Sequence, residues 1–129
     1  MRRLILITVL FLSGCSSLTG IVPSFWDDNQ SRAIIDSRFA IERIDCASDQ
    51  LRAQVSQVRD QLLWFELYSE SKGLRQRDVI ELVHPIRETV EDMHRRLAQG
   101  TTTRAYCDIK VRILKSQAQT ASKAVLGRF

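Results

Sequence analysis

Catalytic raw material is scarce in this chain of 129 residues. It has two histidines, no recognisable nucleophile-base-acid triad, no Gly-x-Ser-x-Gly elbow and no glycine-rich phosphate loop. Acid-base, acyl-transfer and phosphoryl chemistry are left without their usual residues, and no cofactor or small-molecule substrate is expected. No stretch alternates apolar and polar residues over the length of a strand, which argues against a sheet. Two prolines, Pro23 and Pro85, are too few for a proline-rich extended spacer. The one long apolar run, Leu4 to Leu12 with Thr8 as its only polar residue, falls short of the roughly 20 residues a spanning helix needs.

What is present begins at the N-terminus. Met1-Arg2-Arg3, the apolar run and Leu12-Ser13-Gly14-Cys15 follow the order of a secretory signal peptide: basic start, short apolar stretch, small residues before a cut. With a cysteine next after that cut, the pattern resembles the bacterial lipobox. The resemblance implies that residues 1–14 are removed and that Cys15 is diacylated on sulfur and begins the mature chain, usually with a third acyl chain. Each buried CH2 contributes about 0.8 kcal/mol, so two or three chains anchor stably where one is marginal. Ser16, in the place where aspartate would retain such a protein, resembles the default for passage to the outer membrane. The expected location is an outer-membrane lipid anchor facing the periplasm.

Loss of Arg2 and Arg3 with the signal takes the formal charge from +4 to +2. That is too little for nucleic-acid binding, and export points the same way. If Cys15 carries lipid, Cys46 and Cys107 remain. In an exported chain an even remainder reads as a disulfide, with an intermolecular bridge or two free thiols as the alternatives. Closing a loop of about 60 residues would contribute on the order of 4 kcal/mol.

Residues 15–26 hold Ser, Thr, Gly and Pro without periodicity and read as a lipidated tether, whose ten residues Ser16 to Phe25 reach at most about 35 Å. Residues 27–129 form the domain. A first helix starts at Asp27 or Asp28, carries Ile34, Ile41 and Ile44 with Ile35 and Phe39, and ends near Cys46. Ser48 or Asp49 caps a second, with Leu51, Val55, Val58, Leu62 and Phe65 in step and Leu63 and Leu67 widening the stripe; Lys72-Gly73 stops it. The third carries Val79, Val83, Ile86, Val90, Met93 and Leu97, with a kink or a break expected at Pro85. Gly100 ends it, Thr101-Thr102-Thr103 offers a cap, and Cys107, Val111, Leu114, Ala118, Ala121 and Val125 mark the fourth.

Four such segments joined by short loops predict an all-α, antiparallel four-helix up-down-up-down bundle. In that order Cys46 ends one outward helix and Cys107 starts the helix that follows the other, so both fall at the end far from the membrane. The bundle and an intramolecular Cys46–Cys107 disulfide predict each other.

Candidate ligand chemistry is thin. Glu81-x-x-His84 and Glu91-x-x-His94 resemble halves of a di-metal bundle motif, but both sit on one helix, about 15 Å apart, and no metal is expected. Phe25, Trp26, Trp64, Phe65, Tyr68 and Phe129 gather at the membrane-proximal end, where they close the bottom of the core or, for Trp26, Trp64 and Tyr68, touch headgroups or a partner. Lys110, Arg112, Lys115 and Lys123, with Arg104 and Arg128, make the last helix basic, while Asp27, Asp28, Asp36, Glu42 and Asp45 make the first acidic. Charge matching between neighbouring helices accounts for both; contact with anionic lipid, cell-wall polymer or an acidic partner is the functional alternative.

Val22-Pro23-Ser24-Phe25-Trp26-Asp27-Asp28-Asn29-Gln30, the run Trp64 to Gly73 and the ending Ala124 to Phe129 resemble small lipoproteins carried by tailed phages of marine bacteria. The resemblance covers the mature chain and brings no catalytic or binding residue with it. If the gene is phage-borne, envelope modification, exclusion of competing phage or help in lysis follow as roles. The expectation is a non-enzymatic, membrane-anchored helical scaffold that binds a protein or envelope component. An outer-membrane spanin-like lysis subunit is the alternative, and a small envelope hydrolase the third.

Overall fold

The structure, a computed structural model, describes residues 27–73 and 76–127. The expected signal peptide, Cys15, the tether, Trp26, Arg128 and Phe129 lie outside them. Among the described residues there are four α-helices and no strand: α1 Asp28–Glu42, α2 Leu51–Ser71, α3 Arg77–Ala98 and α4 Arg104–Leu126. α1 packs against α2 and α4, and α3 packs against the same two, so four seams close a ring around one core.

The spacing of the sequence explains that core. Residues stepping by three and four return to one side of a helix, and Ile34, Ile41, Val55, Val58, Leu62, Phe65, Val79, Val83, Ile86, Val90, Met93, Leu114, Ala118 and Ala121 are all buried. Burying a side chain the size of Phe65 contributes on the order of 2 kcal/mol. The buried stripes are narrower than expected. Ile35, Phe39, Leu63 and Leu67, read as widening them, are exposed, Phe39 by 61%. Ile35 and Leu63, one residue past buried Ile34 and Leu62, are turned about 100° from them, and Phe39 and Leu67, two past buried Ser37 and Phe65, are turned about 200°, arcs that in a ring of four helices face outward. In α1 the buried register also includes polar residues, Gln30 and Ser37.

The ends follow local side-chain chemistry. Asp27 caps α1 by accepting from the N–H groups of Asn29 and Gln30 at 2.9 and 3.1 Å. The helix stops at Glu42, short of Cys46, because Asp45 accepts from the Ala47 N–H and its own N–H donates to Gln54 Oε1. Ser48 turns its hydroxyl to the Gln50 N–H, so neither it nor Asp49 caps α2, which begins at Leu51. At the other end Gly73, at φ +88°, donates to the Glu70 carbonyl and ends the helix in the left-handed conformation expected there. Thr103 caps α4 through the Tyr106 N–H.

α3 does not break at Pro85. Pro85 and Glu81 are both exposed, so the ring that cannot donate to the Glu81 carbonyl lies on the solvent side of α3, while the Pro85 carbonyl accepts from the Thr89 hydroxyl at 3.0 Å. Cys46, in the α1–α2 loop, is bonded to Cys107 in the first turn of α4, with their Cα atoms 5.9 Å apart.

Candidate functional site

Three seams of the ring are tied along their length by polar contacts. Arg87 pairs with Glu66 between α2 and α3, and the Arg59 guanidinium lies 3.3 Å from His94 Nε2. Between α3 and α4, Asp92 accepts from the Tyr106 hydroxyl at 2.6 Å and pairs with Lys110 at 3.1 Å, and Thr89 donates to Gln117. Between α4 and α1, Lys115 pairs with Glu42 at 3.3 Å and Arg38 donates to Ser122 at 3.2 Å.

The α1/α2 seam is tied at its two ends and open between them. At the Asp27 end, the Tyr68 hydroxyl donates to the Asp27 carboxylate, Asn29 Nδ2 donates to Tyr68, and Lys72 pairs with Asp27 at 3.4 Å. Behind this cluster Gln30 Nε2 donates to Ser69 Oγ and Gln76 Oε1, a buried network that satisfies groups the core could not otherwise hold. At the other end the Asp45 N–H donates to Gln54. Between the two, Ala33 and Ala40 leave unfilled the space that larger side chains would take.

The result is a groove in two stretches of about 390 and 360 Å³ that meet at Asp36 and Gln61. α1 and the Arg43 that follows it line the groove with Asn29, Arg32, Asp36, Phe39 and Arg43; α2 and the Gln50 that precedes it line it with Gln50, Gln54, Gln57, Gln61 and Trp64. The side chains of Arg32, Asp36, Gln50 and Gln57 make no hydrogen bond or ion pair to another described residue. Gln61 Oε1 is buried without a partner among the described residues. Trp64 stands half-exposed at one end with its ring stacked on Tyr68, centroids 5.0 Å apart. Phe39 stands in the second stretch with the Arg43 guanidinium 5.4 Å from its centroid.

The expected site residues are thus dispersed. Phe65 is core, as expected of the proximal aromatics, but Trp64 is not: it precedes Phe65 by one residue and is turned out of the ring. Tyr68 is half-buried and bonded to Asp27. The basic residues of α4 divide between two directions: positions 112, 115 and 123 fall within about 80° of one another around the helix, and position 110 points elsewhere, toward α3. Lys110 is engaged by Asp92 and Lys115 by Glu42, an ion pair that matches the charges of α1 and α4, while Arg112 and Lys123 are exposed. His84 pairs with Glu88 and His94 lies against Arg59, so the two Glu-x-x-His segments point to different neighbours.

Charge at the two tyrosine clusters is strongly shaped by contact. Partial burial pushes the Asp27 carboxyl up, but the Gln30 N–H, the Tyr68 hydroxyl, Lys72 and the Asn29 N–H together hold it below the usual carboxylate range. The Tyr106 hydroxyl first, then Lys110 and Arg95, hold Asp92 well below that range. Burial and then Asp92 push Tyr106 up to about 12.

Sequence reasoning missed the groove. The row Gln50, Gln54, Gln57, Gln61 steps 4-3-4 beside the apolar stripe of α2, and Ala33 and Ala40 lie a heptad apart on α1; together they were the available signal. Set against protein-family models, curated proteins and solved structures, the chain matches none.

Proposed function

We propose that this chain is a non-enzymatic, membrane-tethered binding module of the periplasm: acylated at Cys15, folded as an antiparallel up-down-up-down bundle, and presenting the α1/α2 groove to an envelope component or protein partner. The observation that carries this reading is the Cys46–Cys107 bond, which belongs to an oxidising compartment and agrees with the export implied by the lipobox. The helix order is supported by contacts that join opposite ends of consecutive helices: Asn29, early in α1, with Tyr68, late in α2; Arg59, in the first half of α2, with His94, late in α3; and Asp92, late in α3, with Tyr106, early in α4. The open middle of the α1/α2 seam supplies a surface on which the side chains of Arg32, Asp36, Gln50 and Gln57 make no hydrogen bond or ion pair to another described residue.

The test is phase partition of the full-length protein in a cloud-point detergent, with mass spectrometry of the N-terminus. Wild type is expected in the detergent phase with an acylated Cys15, and Cys15→Ser in the aqueous phase. An intact Met1 terminus with unchanged partition would refute the anchor.

A further inference from the structure

We propose that the α1/α2 groove binds an uncharged, N-acetylated glycan strand lying along the two helices. The inference deepens the binding-module reading by giving its envelope component a chemistry. Three features of the groove point there. Its polar lining is rich in carboxamides: Asn29 and Gln54 are partly engaged, by Tyr68 and the Asp45 N–H, while Gln50, Gln57 and Gln61 offer donors and acceptors that suit hydroxyls and above all a secondary amide, which presents one N–H and one C=O to the same carboxamide. Gln61, with a buried oxygen lacking any donor, sits where the two stretches meet, so a ligand N–H would relieve a standing cost when the side chain turns into the groove. Trp64 and Phe39 stand half or more exposed along it, and the electron-rich face of such a ring suits the C–H face of a sugar.

Other occupants fit less well. A docked helix needs apolar pockets at helical spacing, whereas here carboxamides occupy the row that would form them. A polyanion needs several unopposed cations, whereas the groove holds two, Arg32 and Arg43, against Asp36. From Gln50 to Trp64 α2 rises about 21 Å, room for a short oligosaccharide lying lengthwise.

The test uses full-length chain in detergent micelles carrying Trp26→Phe, which leaves Trp64 as the only one of two tryptophans. Titration with the N-acetylglucosamine tetramer is expected to give a saturable change in Trp64 emission. Asp36→Ala combined with Gln57→Ala, both exposed positions, is expected to weaken that binding at least tenfold with the thermal midpoint unchanged. No saturable change with the tetramer would overturn the proposal, as would an equal response to maltotetraose, which lacks the acetamido group, or to tetra-alanine. The mass of Cys15 is read in the same sample, so a chain that is acylated and ignores the sugar sinks the glycan and leaves the anchor standing.

Discussion

Asp92 shows how much a single carboxylate can organise. It receives the Tyr106 hydroxyl and the Lys110 ammonium from α4 and Arg95 from its own helix, while Arg96 lies over the Tyr106 ring. A carboxyl held low in the folded state stabilises the fold at pH values above its unfolded value near ~3.9, and that contribution is lost as pH falls through the folded value. Tyr106 works in the opposite sense: raised to about 12, it contributes below its unfolded value near ~10 and ceases to as pH rises through about 12. The melting temperature should therefore hold level through neutral pH and fall in acid below about pH 4. Asp92→Asn should lower it at pH 7 and flatten the acid limb, with Asp27 supplying the slope that remains. An acid limb in the variant as steep as in wild type would show that Asp92 is not its source. None of this could be read from the chain, where Lys110 read as one of the basic residues matched to the acidic first helix or held for an anionic partner. The pairing depends on how α3 and α4 are rotated against each other, which residue identity does not encode.

At the scale of the helix, the 4-3 spacing was legible because a buried face has to recur with that period whatever its neighbours are. The side toward which the face widens was not. Ile35 and Leu63 are apolar and next to the stripe, and Phe39 and Leu67 stand two residues past it, yet the ring of four turns all of them to solvent. Pro85 makes the same point about context. Its sequence reading allowed a break, but an exposed ring and the Thr89 hydroxyl on the Pro85 carbonyl let α3 run through. The missing N–H still costs. Pro85→Ala should restore the bond to the Glu81 carbonyl and stabilise the domain by about 2 kcal/mol, the roughly 3 kcal/mol cost of an interior proline less what its stiffness removes from the unfolded chain. The urea midpoint reads this directly, and a midpoint unchanged or lowered would mean that α3 has already absorbed the proline without strain.

For the whole molecule, the cysteine arithmetic and the order of four helices made the disulfide legible before any coordinates. The groove was not, because it consists of space that two helices leave unfilled. Cys46→Ser or Cys107→Ser releases a loop of 61 residues and should cost about 4 kcal/mol, lowering the melting temperature by about 10 °C or more. Non-reducing peptide maps of wild type should show one Cys46–Cys107 peptide; two alkylatable thiols or a linked dimer would contradict it. The same bond decides how the domain carries a load. A pull that enters ahead of Asp27 and leaves after Leu126 parts α1 from α4, Arg38 leaving Ser122 before Lys115 leaves Glu42, and the opening stops at the two sulfurs. The force passes straight from Cys46 to Cys107, so α2 and α3 are off its path and some 200 Å of chain cannot be drawn out. Under tension the protein is a hinge with a fixed stop.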